Sequence, residues 1–245
     1  MSGANGANGA APVAPDRPDP AFEVRGVRVP RHPLAPELAF EVGVSDTSGL
    51  QVLTISLAVQ IAIEPSGVRY DEETRERLVE LLGEPARTGA LGAPTRTIPW
   101  KRVDVLVQPF RGETTVEVPV PCDYDAEVAA TAYFSALPRG RVPLVFHFNG
   151  SAYYEGEDGR LQIVQLSWEE SPTFRMPVDA WREAIAAHYP HRRWLAADED
   201  TVERLRRYKL EHGLPSYEAA LEHLLDGAVS PLFGNAEQRR HGVPR

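Results

Sequence analysis

Leu50 to Glu64 reads LQVLTISLAVQIAIE. Leu53, Ile55, Leu57, Val59, Ile61 and Ile63 hold every second position, with Thr54, Ser56, Ala58, Gln60 and Ala62 between them. Successive side chains of a strand point to opposite faces, so this spacing puts six large aliphatics on one side of a sheet. Burying each one contributes roughly 1.5–3 kcal/mol before conformational entropy is counted. A second layer must cover that face, and a β-sandwich supplies it. The run is longer than a usual strand of about 5–6 residues, so a bend or bulge is expected within it.

Outward from this strand the pattern stays mostly β. Phe22 to Val29 and Leu38 to Val44 alternate and are separated by Pro30, Pro33 and Pro36, which end the first strand and force an irregular link. Ser45 to Gly49 is a turn cluster, so the second strand and the central one read as a hairpin. After Pro65 the period changes: Asp71 to Leu82 opens with acids, carries Leu78, Leu81 and Leu82 on one side and stops at Gly83, the signature of one short helix. Residues 83–102 are rich in Gly and Pro and read as a long loop ending near Trp100. Alternation returns at Val103 to Val107, Thr114 to Val120, Val128 to Phe134 and Leu144 to Phe148, the last continuing into Tyr153 and Tyr154. Asp158-Gly159 then turns the chain into Leu161 to Trp168. The predicted fold is mainly β: an antiparallel β-sandwich of about eight or nine strands with one inserted short helix and a C-terminal helical segment.

From Pro177 the apolar spacing is helical, with Val178, Trp181, Ile185 and His188 on one stripe. A second helix starts near Asp198 and stops at Gly213, and Ser216 caps a third bearing Tyr217, Ala220, Leu221, Leu224 and Leu225. Predicted boundaries are a disordered tail at 1–20, whose Gly-Ala-Asn and Pro/Asp composition buries little, a sandwich at 21–175, helices at 176–232 and a loose tail at 233–245.

Net charge is −9, which argues against nucleic acid as a partner of the whole molecule. From Asp179 onward there are 10 Lys/Arg and 11 Asp/Glu of totals of 26 and 35, so the acidity belongs to the β part. The one cysteine excludes an internal disulfide and fits a reducing compartment. No window approaches the ~18 apolar residues of a membrane span, and the N-terminal stretch lacks the charged and apolar regions of a secretory signal. The expectation is a soluble cytoplasmic protein without membrane insertion.

Candidate chemistry is sparse. Cys122, in Pro121-Cys122-Asp123-Tyr124-Asp125, has no histidine near it in sequence to generate a thiolate, and reads as a packed turn residue. Asp123 and Asp125 alone supply too few oxygens for a calcium loop. No HExxH, GxSxG, Walker or GxGxxG motif occurs, so no catalytic, cofactor or metal residue is assigned and a non-enzymatic role is expected. Recognition residues are chosen instead. Trp100 and Arg102, the turn Cys122, Asp123, Tyr124 and Asp125, the outward-facing His147 with Tyr153, and Arg192, Arg193 and Trp194 combine aromatic and cationic groups in loop-like sequence.

Val59 to Glu64, Leu82 to Pro85, Val120 to Asp125, Pro143 to Phe146 and Met176 to Trp181 together resemble an uncharacterised bacterial family, a domain of unknown function, over residues 21–226. The resemblance implies a genomic setting: members are encoded beside the structural and maturation genes of uptake NiFe hydrogenases. No site residue transfers from it. What it implies is an accessory or assembly protein that binds another protein, with hydrogenase subunits or maturation factors as partners. A sandwich binding carbohydrate or lipid on an aromatic face with His147, Tyr153 and Tyr154 is the alternative. A third reading is a DNA-binding regulator, because Thr201 to Leu225 resembles the two helices of ribbon-helix-helix proteins, though without excess positive charge.

Overall fold

In the computed structural model the quoted stretch is β3, Gln51–Ile63, the middle of a five-stranded antiparallel sheet. The structure describes residues 17–65, 68, 70–82, 97–122, 128–156, 158–166, 171–190 and 197–233. One neighbour of β3 is β4, Ile98–Val107; the other is β6, Arg141–Glu155. Along its far edge β6 pairs with β7, Leu161–Gln165, at one end and with β8, Thr173–Pro177, at the other. The second sheet has the order β1, Ala21–Arg28, then β2, Glu37–Ser45, then β5, Glu113–Pro121, and is also antiparallel. Phe40 of β2 stands edge-on to Phe146 of β6 at 5.3 Å, and Phe22 of β1 stacks on Phe148 at 4.6 Å. These contacts join the two sheets face to face in the predicted sandwich.

Three sequence expectations change. Ile55, Leu57, Val59, Ile61 and Ile63 are buried, but Leu53 is 37% exposed and Val52 takes its place in the core. The register with β6 shifts between Val52 and Thr54, so the bulge turns Leu53 outward. β2 and β3 do not form a hairpin: each already has two strand neighbours, and the link between them crosses from one sheet to the other. Asp46, buried in that link, accepts from the amides of Asp19 (2.8 Å) and Ser48 (3.2 Å), while its own amide donates to the Gly112 carbonyl at 2.7 Å. The expected strand at Val128 to Phe134 is a helix. Ala130, Tyr133, Phe134 and Leu137 are buried at i, i+3, i+4 and i+7, a helical stripe that outweighs the alternation. β8 replaces it in the strand count, so eight strands stand among the described residues.

The helices of the first unit cap one end of the sandwich. α1 is Glu72–Leu82, α2 Val128–Ala136 and α3 Val178–His188. Phe134 of α2 touches Trp100 of β4 at 5.0 Å and Trp181 of α3 at 5.2 Å, closing the core beside Phe40. Arg182 of α3 donates to the Pro138 carbonyl at 2.6 Å and to the Leu137 carbonyl, satisfying groups just past the end of α2. His188 ends α3 with Nε2 3.1 Å from the Pro33 carbonyl, tying that helix to the proline-rich link.

The chain divides into two units, Met1–Arg192 and Arg193–Arg245. The second unit is a hairpin of α4, Glu199–Glu211, and α5, Tyr217–Phe233. Asp198 caps α4 by accepting from the Thr201 amide at 2.7 Å, and Ser216 Oγ accepts from Ala219 at 3.0 Å at the start of α5. No helix among the described residues is long and apolar enough to cross a membrane.

Candidate protein-binding face

One face of the five-stranded sheet packs on the core; the other is open and carries three of the predicted residues, two at one end and one at the other. Arg102 of β4, Gln60 of β3 and His147 of β6 lie side by side as one cross-strand row. Three same-face steps along β3 stands a second row, in which Thr54, Tyr153 of β6 and Ile163 of β7 are partners. Between them lie Asp104, Ala58 and Asn149, then Leu106, Ser56, Ser151 and Gln165. Leu161 sits opposite Glu155 beyond the Tyr153 row. The face is therefore polar at the Arg102 end and apolar at the Tyr153 end.

The apolar end is unusual for a wet sheet face, which ordinarily alternates polar outward. On β7 Leu161 is 63% exposed and Ile163 61%, beside Tyr153, and Leu53 of β3 turns outward through its bulge; Leu106, 63% exposed, stands on β4 at the other edge, with Ser56 and Ser151 between. Contiguous exposed apolar groups bounded by polar ones mark places where another molecule binds. At the polar end His147 Nδ1 and the Ser171 hydroxyl are hydrogen-bonded at 2.7 Å. Among the described residues Arg102 pairs with Asp104 at 4.0 Å, both side chains being largely exposed, which leaves the guanidinium accessible to a second partner. The signal for this face was in the sequence: Leu106 continues the parity of Arg102 and Asp104, and Leu161 and Ile163 share a parity opposite to Val164, so apolar groups stand where polar ones belong.

The remaining predicted residues lie elsewhere. Trp100 is not in a loop but in β4, which starts at Ile98, and its indole is 4% exposed among Phe40 and Phe134. This removes it from the surface. Cys122 is buried beside the end of β5, its amide donating to the Pro36 carbonyl at 2.7 Å. Tyr154, unlike Tyr153, turns inward and bonds Gln162 at 2.9 Å, so His147, Tyr153 and Tyr154 do not line one cleft. Asp123, Tyr124, Asp125, Arg192, Arg193, Trp194 and the segment 83–96 lie outside the described residues. The most strongly perturbed groups are structural. Tyr70 and Tyr133 share a phenol–phenol hydrogen bond, and burial raises both above the ordinary phenol range.

Residues 17–231 match the model of a family described as a family of unknown function, DUF6084. The chain belongs to that family. No curated protein matches it. Among solved structures this DUF6084 protein is similar to the ApaA protein of Bordetella pertussis, at 15% identity and a TM-score of 0.25, over 65% of this chain and 93% of that one. It is likewise similar to a β-glucosidase of Kluyveromyces marxianus, at 11% identity and a TM-score of 0.25, over 65% of this chain and 15% of that enzyme. Likenesses this distant assign no activity to the DUF6084 chain.

The second unit of the DUF6084 protein has its own unpartnered surface. Val202, Leu210, Tyr217, Leu221, Leu224 and Leu225 are exposed, and among the described side chains of α4 and α5 only Ala220 is buried. Such a hairpin holds little core, so its order depends on caps and polar contacts between the helices.

Proposed function

We propose that this protein is a non-catalytic accessory protein that binds another protein through the open face of its five-stranded sheet, in the cytoplasm, and that its partner belongs to a NiFe-hydrogenase system. The observation that carries the binding role is the pair Leu161 and Ile163 on β7, each about three-fifths exposed, beside Tyr153 of β6, with Leu106, equally exposed, on β4 at the other edge of the same face. Covering these side chains removes apolar area from water at about 25 cal/mol per Å². The Arg102 and His147 row at the other end supplies the polar rim that orients a docked partner. The choice of partner follows from the resemblance to a family encoded beside hydrogenase genes.

The test is co-purification from the native host under mild conditions with tagged full-length protein, compared with the variant L106D/I163D. Both positions are exposed, so the variant is expected to keep the fold within about 1 kcal/mol. Recovery of hydrogenase subunits or maturation factors with the parent and at least tenfold less with the variant, about 1.4 kcal/mol, supports the reading. Recovery of other proteins only would overturn the hydrogenase assignment, and equal recovery with both forms would overturn the face.

A further inference from the structure

Tyr208, His212 and His223 meet on the exposed side of the α4–α5 hairpin. Tyr208 and His212 stack with ring centroids 4.0 Å apart, and His223 lies 5.8 Å from Tyr208 and 5.3 Å from His212. Both imidazoles are exposed, yet each has Nδ1 committed. His212 Nδ1 is 2.9 Å from the Tyr208 carbonyl. A carbonyl only accepts, so Nδ1 donates, and in the neutral ring the lone pair is then on Nε2. His223 Nδ1 is hydrogen-bonded to the Tyr208 hydroxyl at 2.5 Å, and a phenol oxygen can accept that proton too. With Nδ1–H donating there, Nε2 of His223 also presents a lone pair.

This is the outer arrangement found behind histidine metal ligands, where the second ring nitrogen donates to an oxygen that fixes tautomer and orientation. The separation fits as well. Two imidazoles bound through Nε2 to one tetrahedral zinc at about 2.0–2.1 Å place their centroids about 5 Å apart, and the observed distance is 5.3 Å. We propose that His212 and His223 form a two-imidazole site for a borderline divalent transition cation, with Tyr208 as the positioning residue behind both rings. Imidazole nitrogen suits zinc, copper and nickel rather than magnesium or calcium. No group of three or more His, Cys, Asp or Glu that could hold an ion occurs among the described residues, so water would complete the coordination of an ion held by this pair. The ion would join the end of α4 to α5 and cross-link a hairpin that has little core of its own.

The experiment uses the full chain without a polyhistidine tag, stripped with chelator and titrated with zinc chloride by calorimetry, with helix content followed by far-ultraviolet circular dichroism. One ion per chain is expected at the tightest site, with zinc raising the hairpin's melting temperature. H212A and H223A should each weaken binding at least about tenfold, and Y208F should weaken it about tenfold or more at unchanged stoichiometry. Glutamine variants at both histidines provide the same comparison if either alanine variant loses helix content before metal is added. Zinc uptake that is unchanged in the double variant, or indifferent to either single change, would overturn the site.

Discussion

The indole of Trp100 meets the ring of Phe134 edge-on, with centroids 5.0 Å apart and planes at 80°. The pair joins β4 to α2, and Trp181 extends it to α3. Trp100→Ala is therefore expected to destabilise the first unit by about 3–5 kcal/mol, as large-to-small changes in packed aromatic cores do. Trp100→Phe should cost less than about 2 kcal/mol, because it keeps a ring and removes a buried indole N–H that has no hydrogen-bond partner among the described residues. Denaturant midpoints read at constant slope give both values, and a Trp100→Ala cost below about 1 kcal/mol would contradict the packing.

The bulge in β3 sets opposite expectations for neighbouring positions. Val52 is fully buried whereas Leu53 is 37% exposed. Val52→Ser should cost about 2 kcal/mol or more, since it removes apolar burial and introduces a hydroxyl, while Leu53→Ser should cost about 1 kcal/mol or less. Thermal melts of the two variants distinguish this register from uninterrupted alternation, which demands the reverse order.

Gly150 of β6 lies against the backbone of β3 at Ser56. Its φ is +150°, and a Cβ built there would lie 1.9 Å from the Ser56 carbonyl oxygen. Gly150→Ala should destabilise the protein by at least about 3 kcal/mol, through the sum of backbone strain and displacement of a paired strand. Faster hydrogen exchange at the Leu166 amide, which donates to the Gly150 carbonyl at 3.0 Å, would report the same disruption locally.

Asp198 makes the start of α4 acid-sensitive. Hydrogen bonding from Thr201, first of all from its backbone amide, holds the Asp198 carboxyl below its ordinary range. A group whose folded pKa is depressed stabilises fully above its unfolded value and loses that contribution as pH falls through the folded value. Helix content of the hairpin should thus decline on acidification in the parent. Asp198→Asn, which keeps a capping oxygen but does not titrate, should show a shallower decline in circular dichroism. Parallel acid profiles for the two proteins would exclude the cap as the cause.

Much of the fold was legible before any coordinates. Alternation marks β2, β3, β5 and β6, and the acid-first, glycine-last pattern marks α1, because the periods of 2 and 3.6 residues are imposed by local backbone geometry. The errors fall where local pattern and long-range pairing compete. Val128 to Phe134 satisfies both periods, and only the pocket formed by Trp100, Trp181 and Tyr70 selects the helix. The turn after β2 looks like a hairpin turn, but both edges of β2 are taken by β1 and β5 and both edges of β3 by β4 and β6.

The candidate face shows the same division. That His147 and Tyr153 point away from the core follows from their parity on one strand, which the sequence alone determines. That Arg102 shares a row with His147, and Tyr153 a row with Ile163, depends on the registers of four strands, to which residues far apart in the chain contribute. Trp100 gives the converse case: its basic neighbours and Gly/Pro-rich flank describe a surface loop, yet burial against Phe40 and Phe134 puts it in the core. Side-chain parity is a property of the local backbone and is written in the order of residues. Which faces are covered is decided by non-local packing, and only the tertiary structure records it.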